Sequence, residues 1–297
     1  MNKYLFTELR LTFWARHGFH YLARKLKRKG IGTKPYSLCA MPNDFIGREI
    51  AVRGIYEEAG IAAAEWLCDQ EIIAHPQNSV FLDVGANVGV YSIALAHRFA
   101  NILAFEPHPI IAQILKLNVR INNFNNVKVF QYGLSDSDKE AQLSEGGTDN
   151  LGGSSVERSI GEGKQHSILL KHGDPCIDRD AEFAVSFIKI DVEGHESSVI
   201  CGLASLIKRQ HPVIAFEAND PEHNQDLMLQ LEELGYKLFL ALDYKYSTSI
   251  VWLQVAMNTI LGVHSRLKPV TSLKNKKYSL VFALPASAAE RWDKVVK

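Results

Sequence analysis

Leu5, Phe6, Leu9 and Phe13, and then Phe19, Leu22 and Leu26, recur mostly at spacings of three and four, which predicts one or two amphipathic helices before Gly30 and Gly32. A second helical pattern runs from Glu57 to Ala74, carries Ile61, Ala64, Glu65, Leu67 and Cys68, and stops at His75-Pro76. The rhythm then changes. Short, largely apolar runs at Ser79–Asp83, Ile102–Phe105, Val127–Gln131, Phe187–Ile190, Val213–Phe216, Tyr236–Ala241 and Tyr278–Leu284 predict seven strands. Helical patterns fill Val88–Ala100, Pro109–Ile121, Glu196–Ile207 and Gln225–Leu234, the second opening on a proline as helix starts prefer. Apolar strands alternating with helices imply βαβ units and a mostly parallel sheet covered on both faces.

Ala141 to Asp174 interrupts this alternation with a Gly/Ser-rich stretch centred on Gly146–Ser155. A loop of that length inside a compact domain is usually a functional lid or a disordered insertion, and residues 146–172 are read as a lid. The chain thus divides into a basic amphipathic segment (1–34), an N-terminal helical addition (35–78) and an α/β domain (79–297). The uncharged stretch Tyr246 to Ser265 holds six Ser, Thr, Asn and Gln residues between its ends, too polar for a membrane span, and is read as a core strand followed by a loop.

Charge alters the picture at one end only. The 297 residues carry 33 basic and 33 acidic side chains, which disfavours a nucleic-acid partner. Yet residues 1–34 hold Lys3, Arg10, Arg16, Arg24, Lys25, Lys27, Arg28, Lys29 and Lys34 against Glu8 alone. Basic charge on an amphipathic pattern suits a peripheral contact with an anionic membrane through residues 5–29. The four cysteines (Cys39, Cys68, Cys176, Cys201) lie far apart with no C-x-x-C pair, and no secretory signal is visible, so a cytoplasmic location is expected, with peripheral contact at the inner face of a membrane.

Candidate chemistry gathers at the ends of predicted strands. Asp83-Val-Gly-Ala-Asn-Val-Gly89 stands where the first strand turns into a helix; glycines there let the backbone approach a ligand, although a tight turn needs them as well. Glu106 ends the second strand, where an acid can take both hydroxyls of a ribose. The two together suggest an adenosine-containing ligand. Asn87 stands where dinucleotide enzymes want a second glycine, and Asp83 would repel a diphosphate, whereas the ammonium and sulfonium of S-adenosylmethionine suit it. Asp191, Glu193, His195 and Glu196 cluster at the end of the fourth strand, on the edge where open parallel sheets bind ligands. Asp191 and Glu193 are the candidates to face a reacting hydroxyl, His195 is a third, and Glu196 is read as a helix-starting acid. The cluster lacks an H-x-x-x-H or E-x-x-H pair, and no metal is expected.

These blocks resemble the FkbM family of S-adenosylmethionine-dependent methyltransferases over roughly Asp44 to Asn219. The resemblance runs through Ile55–Glu57, Phe81–Ser92, Ala104–His108, Leu117–Asn122, Gly133–Asp136 and Phe187–Glu196. It implies a Rossmann-like class I methyltransferase fold with a seven-stranded, mostly parallel sheet, and O-methylation of a carbohydrate, glycolipid or natural-product hydroxyl. It further implies that Asp83, Gly85, Asn87 and Gly89 line the amino-acid end of S-adenosylmethionine, that Glu106 holds its ribose, and that Asp136 meets the adenine amine. His195 stands where the family often has a small residue. Two other classes remain: a nicotinamide-dependent oxidoreductase, and a non-catalytic membrane-associated interaction protein.

Overall fold

A computed structural model describes residues 36–41, 44–53, 55–144, 165–244, 265–273 and 276–296. The basic segment 1–34, most of the predicted lid and the uncharged stretch up to residue 264 lie outside the described residues.

Helices α1 (Phe45–Arg53) and α2 (Glu58–Asp69) lead through a 3₁₀ turn, Pro76–Asn78, into strand β1 (Val80–Val84). There follow α3 (Val90–Leu95), β2 (Asn101–Phe105), α4 (Pro109–Ile121), β3 (Val127–Phe130), β4 (Gly133–Ser135), β5 (Lys139–Ser144), β6 (Gln165–His172) and α5 (Gly173–Asp180). The second half comprises β7 (Val185–Ile190), α6 (Glu196–Gly202), α7 (Ala204–Gln210), β8 (Val213–Ala218), α8 (Asn224–Glu233), β9 (Tyr236–Tyr244), β10 (Ser265–Val270), β11 (Tyr278–Pro285) and α9 (Ala286–Val296).

Among the described residues, eight strands form the main sheet in the order β10-β9-β11-β8-β7-β1-β2-β3. β3, β2, β1, β7 and β8 pair in parallel; β11 runs antiparallel between β8 and β9, and β10 pairs antiparallel with β9 at the edge. The fold is the expected Rossmann-like one, with eight strands where the pattern predicted seven. The eighth was hidden because Ser265–Val270 carries Arg266, Lys268 and Pro269 and no apolar run, the composition that blunts an exposed sheet edge.

Side chains alternate between two cores. Phe81, Phe187 and Phe282 face one side, with Phe81 and Phe187 stacked at 4.9 Å between ring centroids, while Leu82, Ile188 and Val281 face the other. A separate sheet, β4-β6-β5, forms from residues in which the sequence pattern predicted no strand; β4 precedes the predicted insertion, β5 runs into its start, and β6 claims residues 165–172 of the predicted lid as strand. The helix predicted over 196–207 is two, meeting at Leu203. Asp174 explains the break, because its carboxylate accepts from Ser205 N–H (3.0 Å) and Leu206 N–H (2.8 Å) and so starts α7 afresh.

Two asparagines one turn apart, Asn118 in α4 and Asn122 at its C-terminal cap, fasten the chain before α1. Asn118 is fully buried; its Oδ1 accepts from Cys39 N–H at 2.7 Å, and its Nδ2 donates to Cys39 O and Val88 O. Asn122, at the surface, pairs in the same way with Ser37. Asn118→Ala leaves buried groups unsatisfied and is expected to cost about 1 to 3 kcal/mol in denaturant unfolding, whereas Asn122→Ala should cost about 1 kcal/mol or less. Equal losses would contradict this division.

The strand order reverses between β1 and β7, because the chain leaves β1 towards β2 on one side and returns as β7 on the other. A crevice opens at such a point, outside the carboxyl ends of the strands. Val84 pairs with Phe105 on β2 and with Ile190 on β7, so Gly85, Glu106 and Asp191 follow side by side on one rim.

Candidate active site

The loop after β1 is shaped by backbone geometry. Gly85 has φ +77°, and a Cβ there would stand 1.8 Å from the carbonyl oxygen of Asp191, so only glycine allows the two strand ends to close together. Asn87 also takes a left-handed φ, +52°, and Gly89, at φ +88°, starts α3. Asp83 lies behind the loop. It is 1% exposed, and its Oδ2 accepts from both the N–H (3.0 Å) and the Oγ (2.6 Å) of Ser92, which ties the end of β1 to the first turns of α3. Burial pushes its carboxyl above the ordinary range.

Glu106 forms part of the wall of an open cavity of about 650 Å³ shared with Gly85, Asn87, His108, Leu134, Leu143, Leu170, Asp191, Glu193 and His195. Its Oε2 accepts from Asn87 N–H at 2.9 Å and its Oε1 from His108 N–H at 2.8 Å, so two backbone segments hold the carboxyl in place. Burial pushes its pKa up to about 7, against the pull of these hydrogen bonds. Among the described residues, no Lys or Arg lines this cavity.

A second constellation lies across the rim. Lys189 projects from the carboxyl-terminal end of β7, is 3% exposed, and places Nζ 2.8 Å from Asp191 Oδ2 and 4.8 Å from the centroid of the Tyr91 ring. Burial alone would raise the Asp191 carboxyl; the Lys189 charge and a hydrogen bond from Glu217 outweigh it and hold Asp191 below the usual carboxylate range. Glu217 is pushed up to about 10 by burial and by the charge of Asp191. Glu57 enters from the turn before α2 in a left-handed conformation (φ 52°), and burial pushes it up to about 7 although Lys189 pulls the other way. These groups, with Tyr56 and Asn219, line an open cavity of about 780 Å³ that meets the first along Gly85, Asn87, Asp191 and Glu193.

Glu193 lies at the junction, with φ 51° in the loop after β7. It also borders a third cavity, of about 1160 Å³, lined by the acids Glu196, Glu217, Asp220 and Asp226. Among the described residues, Asp191, Glu193 and Glu217 are the three carboxylates that bring oxygens within 4.8 Å of one another, as a cation site requires. The Lys189 ammonium already supplies positive charge there.

The structure thus brings together Gly85, Asn87, Glu106, Asp191 and Glu193 from the sequence reading. It buries His195 (4% exposed) in the Glu106 cavity with Nε2 3.0 Å from Ser135 Oγ, which joins the β7 loop to β4. Glu196 caps that loop, accepting from Gly194 N–H at 3.2 Å. Asp136 is not brought in: its side chain is 47% exposed, takes hydrogen bonds from Ser135, Ser137 and Lys139, and is absent from the cavity wall. Glu57, Tyr56, Lys189 and Glu217 were missed by the sequence reading. One signal was available, because a lysine inside a strand buried on both faces must have a carboxylate partner.

The FkbM methyltransferase domain model matches residues 83–238. Methyltransferase sdnD of Sordaria araneosa is 25% identical over 200 residues, 57% of this chain and 71% of that protein. Hexuronic acid methyltransferase AglP of Haloferax volcanii is 27% identical over 138 residues, 46% of this chain and 55% of that one. Among solved structures, methyltransferase FkbM from Methylobacillus flagellatus KT aligns with TM-score 0.41 and 15% identity over 91% of this chain and 60% of its own.

Proposed function

Because the chain belongs to the FkbM methyltransferase family, we propose that it is an S-adenosylmethionine-dependent O-methyltransferase acting on a hydroxyl of a carbohydrate, glycolipid or natural product. The observation that carries this reading is the rim itself. A buried carboxyl, Glu106, suited to a ribose adjoins a cavity whose described lining holds no Lys or Arg, and across the rim lies a second carboxylate set suited to a hydroxyl. The donor set fits the cofactor, since a pyrophosphate would meet Glu106, Asp191 and Glu193 with no Lys or Arg among the described residues of that wall to neutralise it. AglP's name specifies a hexuronic acid, which supports a carbohydrate acceptor.

In this reading Gly85, Asn87 and Glu106 hold S-adenosylmethionine, with Asp83 and Gly89 fixing the loop behind them. His195 and Leu134 line the adenosine side. When bound, the cofactor supplies a methyl already activated by the sulfonium, so the chain has to position and to handle one proton. Holding reactants in line can supply about 7 to 11 kcal/mol of the barrier. Asp191 faces the acceptor cavity as an ionised carboxylate and takes the hydroxyl proton; Glu193 orients the same hydroxyl.

Cofactor affinity should depend on pH. A ribose needs Glu106 as the carboxylate, and its pKa of about 7 means the proton must leave first. Affinity is therefore expected to fall as pH drops below about 7, approaching tenfold per pH unit, in calorimetric titrations of the wild type. Glu106→Gln should flatten that dependence, and a pH-dependent variant would assign it to another group.

Residues 5–29 are proposed to bring the enzyme to an anionic membrane carrying a lipid-linked acceptor. No described helix is long and apolar enough to cross a membrane, and each Lys or Arg near an anionic surface contributes about 1 kcal/mol. Sedimentation with anionic vesicles should capture the protein at low salt and release it at high salt. No capture at low salt would end the proposal.

A further inference from the structure

Five carboxyl groups share this rim with a single buried ammonium. Lys189 is nearly inaccessible, touches Asp191 at 2.8 Å, and feels the charges of Glu57 and Asp83 as well. Glu217 hydrogen-bonds to Asp191 from β8. The groups facing this cation come from every neighbouring element: Tyr56 and Glu57 from the turn before α2, Asp83 from β1, Tyr91 from α3, Asp191 and Glu193 from β7 and the loop after it, and Glu217 from β8. One ammonium cannot keep five neighbouring carboxyls, buried or half-buried, all ionised, so protons must be distributed among them.

We propose that Lys189 is a positioning residue that assigns the proton: by pairing at 2.8 Å with Asp191, and among the described carboxylates with no other, it makes Asp191 the ionised member of the Asp191–Glu217 pair and therefore the group that accepts the acceptor's hydroxyl proton. The inference rests on the reading of Asp191 as proton acceptor and goes beyond it by naming what selects it. Glu217, holding its own proton, cannot take a second; it donates to Asp191 and fixes the direction of the free lone pairs. In the proton step the acceptor O–H bond breaks, a new O–H bond forms on Asp191, and the electron pair stays on the acceptor oxygen. Neither an oxidant nor a reductant is involved.

The arrangement also accounts for a lysine in a strand whose other members are Ser186 and the apolar Val185, Phe187, Ile188 and Ile190. An apolar residue there would fill the same core volume, but it would leave Asp191 and Glu217 to share a proton without preference, as paired carboxylates do.

The test is a carbon-13 NMR titration of the full chain, labelled at the Asp and Glu carboxyls, with neither cofactor nor acceptor present. Asp191→Asn and Glu217→Gln assign the two signals by their loss. The expected order is Asp191 titrating below an ordinary aspartate and Glu217 above an ordinary glutamate. Lys189→Met should raise the Asp191 midpoint by about one pH unit or more, while Lys189→Arg, which keeps the charge, leaves it low. An Asp191 midpoint unmoved in Lys189→Met overturns the proposal. If that variant does not fold, the wild-type titration decides alone, because Glu217 ionising before Asp191 overturns it equally. A negative titration is distinguishable from failure of the methyl-transfer reading, which shows instead as absence of S-adenosylmethionine binding.

Discussion

Replacing Glu106 by alanine is expected to weaken S-adenosylmethionine binding by one to two powers of ten, because a hydrogen bond to a charged group contributes about 1.5 to 3 kcal/mol. The carboxyl has a double task. It awaits the ribose, and meanwhile it accepts the N–H groups of Asn87 and His108 that frame the cavity. Alanine removes the acceptor and leaves both donors without their partner. Glutamine keeps one acceptor oxygen in the same volume and should fall between the two. Calorimetry measures the series, with thermal unfolding run in parallel to separate loop damage from lost contact. Unchanged affinity in Glu106→Ala would show that the ribose does not sit on this carboxyl.

Asp191→Asn is expected to lower kcat by about 10² to 10⁴, the range for removing a general base, with kcat/KM falling in step. S-adenosylmethionine affinity should change far less, because Asp191 bounds the cavity at its junction with the acceptor side. Asparagine preserves shape and can still receive a hydrogen bond from Lys189, so the variant tests the charge and not the packing. Glu193→Gln should lose less, since the charge held by Lys189 belongs to Asp191. Wild-type turnover in both variants, measured on an acceptor found by label transfer, would remove them from the reaction.

Much of this architecture was legible because the parallel strands are buried on both faces. Val80–Val84 and Asn101–Phe105 stand out as apolar runs for that reason, and the ends of those runs mark the rim where Gly85, Glu106 and Asp191 meet. Helix α4 was predicted at its observed limits, since Pro109 starts it and its apolar face is regular. The small sheet was not legible: β5 pairs with β6 across residues 145–164, and Lys139–Ser144 is half exposed with little apolar content. Asp191 and Glu193 were legible at a strand end, but the groups packed around Asp191 were missed for a related reason. Glu57, Lys189 and Glu217 come from three distant stretches, and only tertiary packing makes them neighbours. Asp136 shows the converse, because an acid in a fitting motif position finds Ser135, Ser137 and Lys139 within reach and stays at the surface.

Methyl transfer by this chain is tested most directly by titrating the wild-type protein with S-adenosylmethionine at about pH 8, where Glu106 is ionised. The expected result is one saturable site per chain, displaced by S-adenosylhomocysteine and silent towards nicotinamide dinucleotides. Absence of binding heat with S-adenosylmethionine, or saturable binding of a nicotinamide dinucleotide in its place, would contradict it.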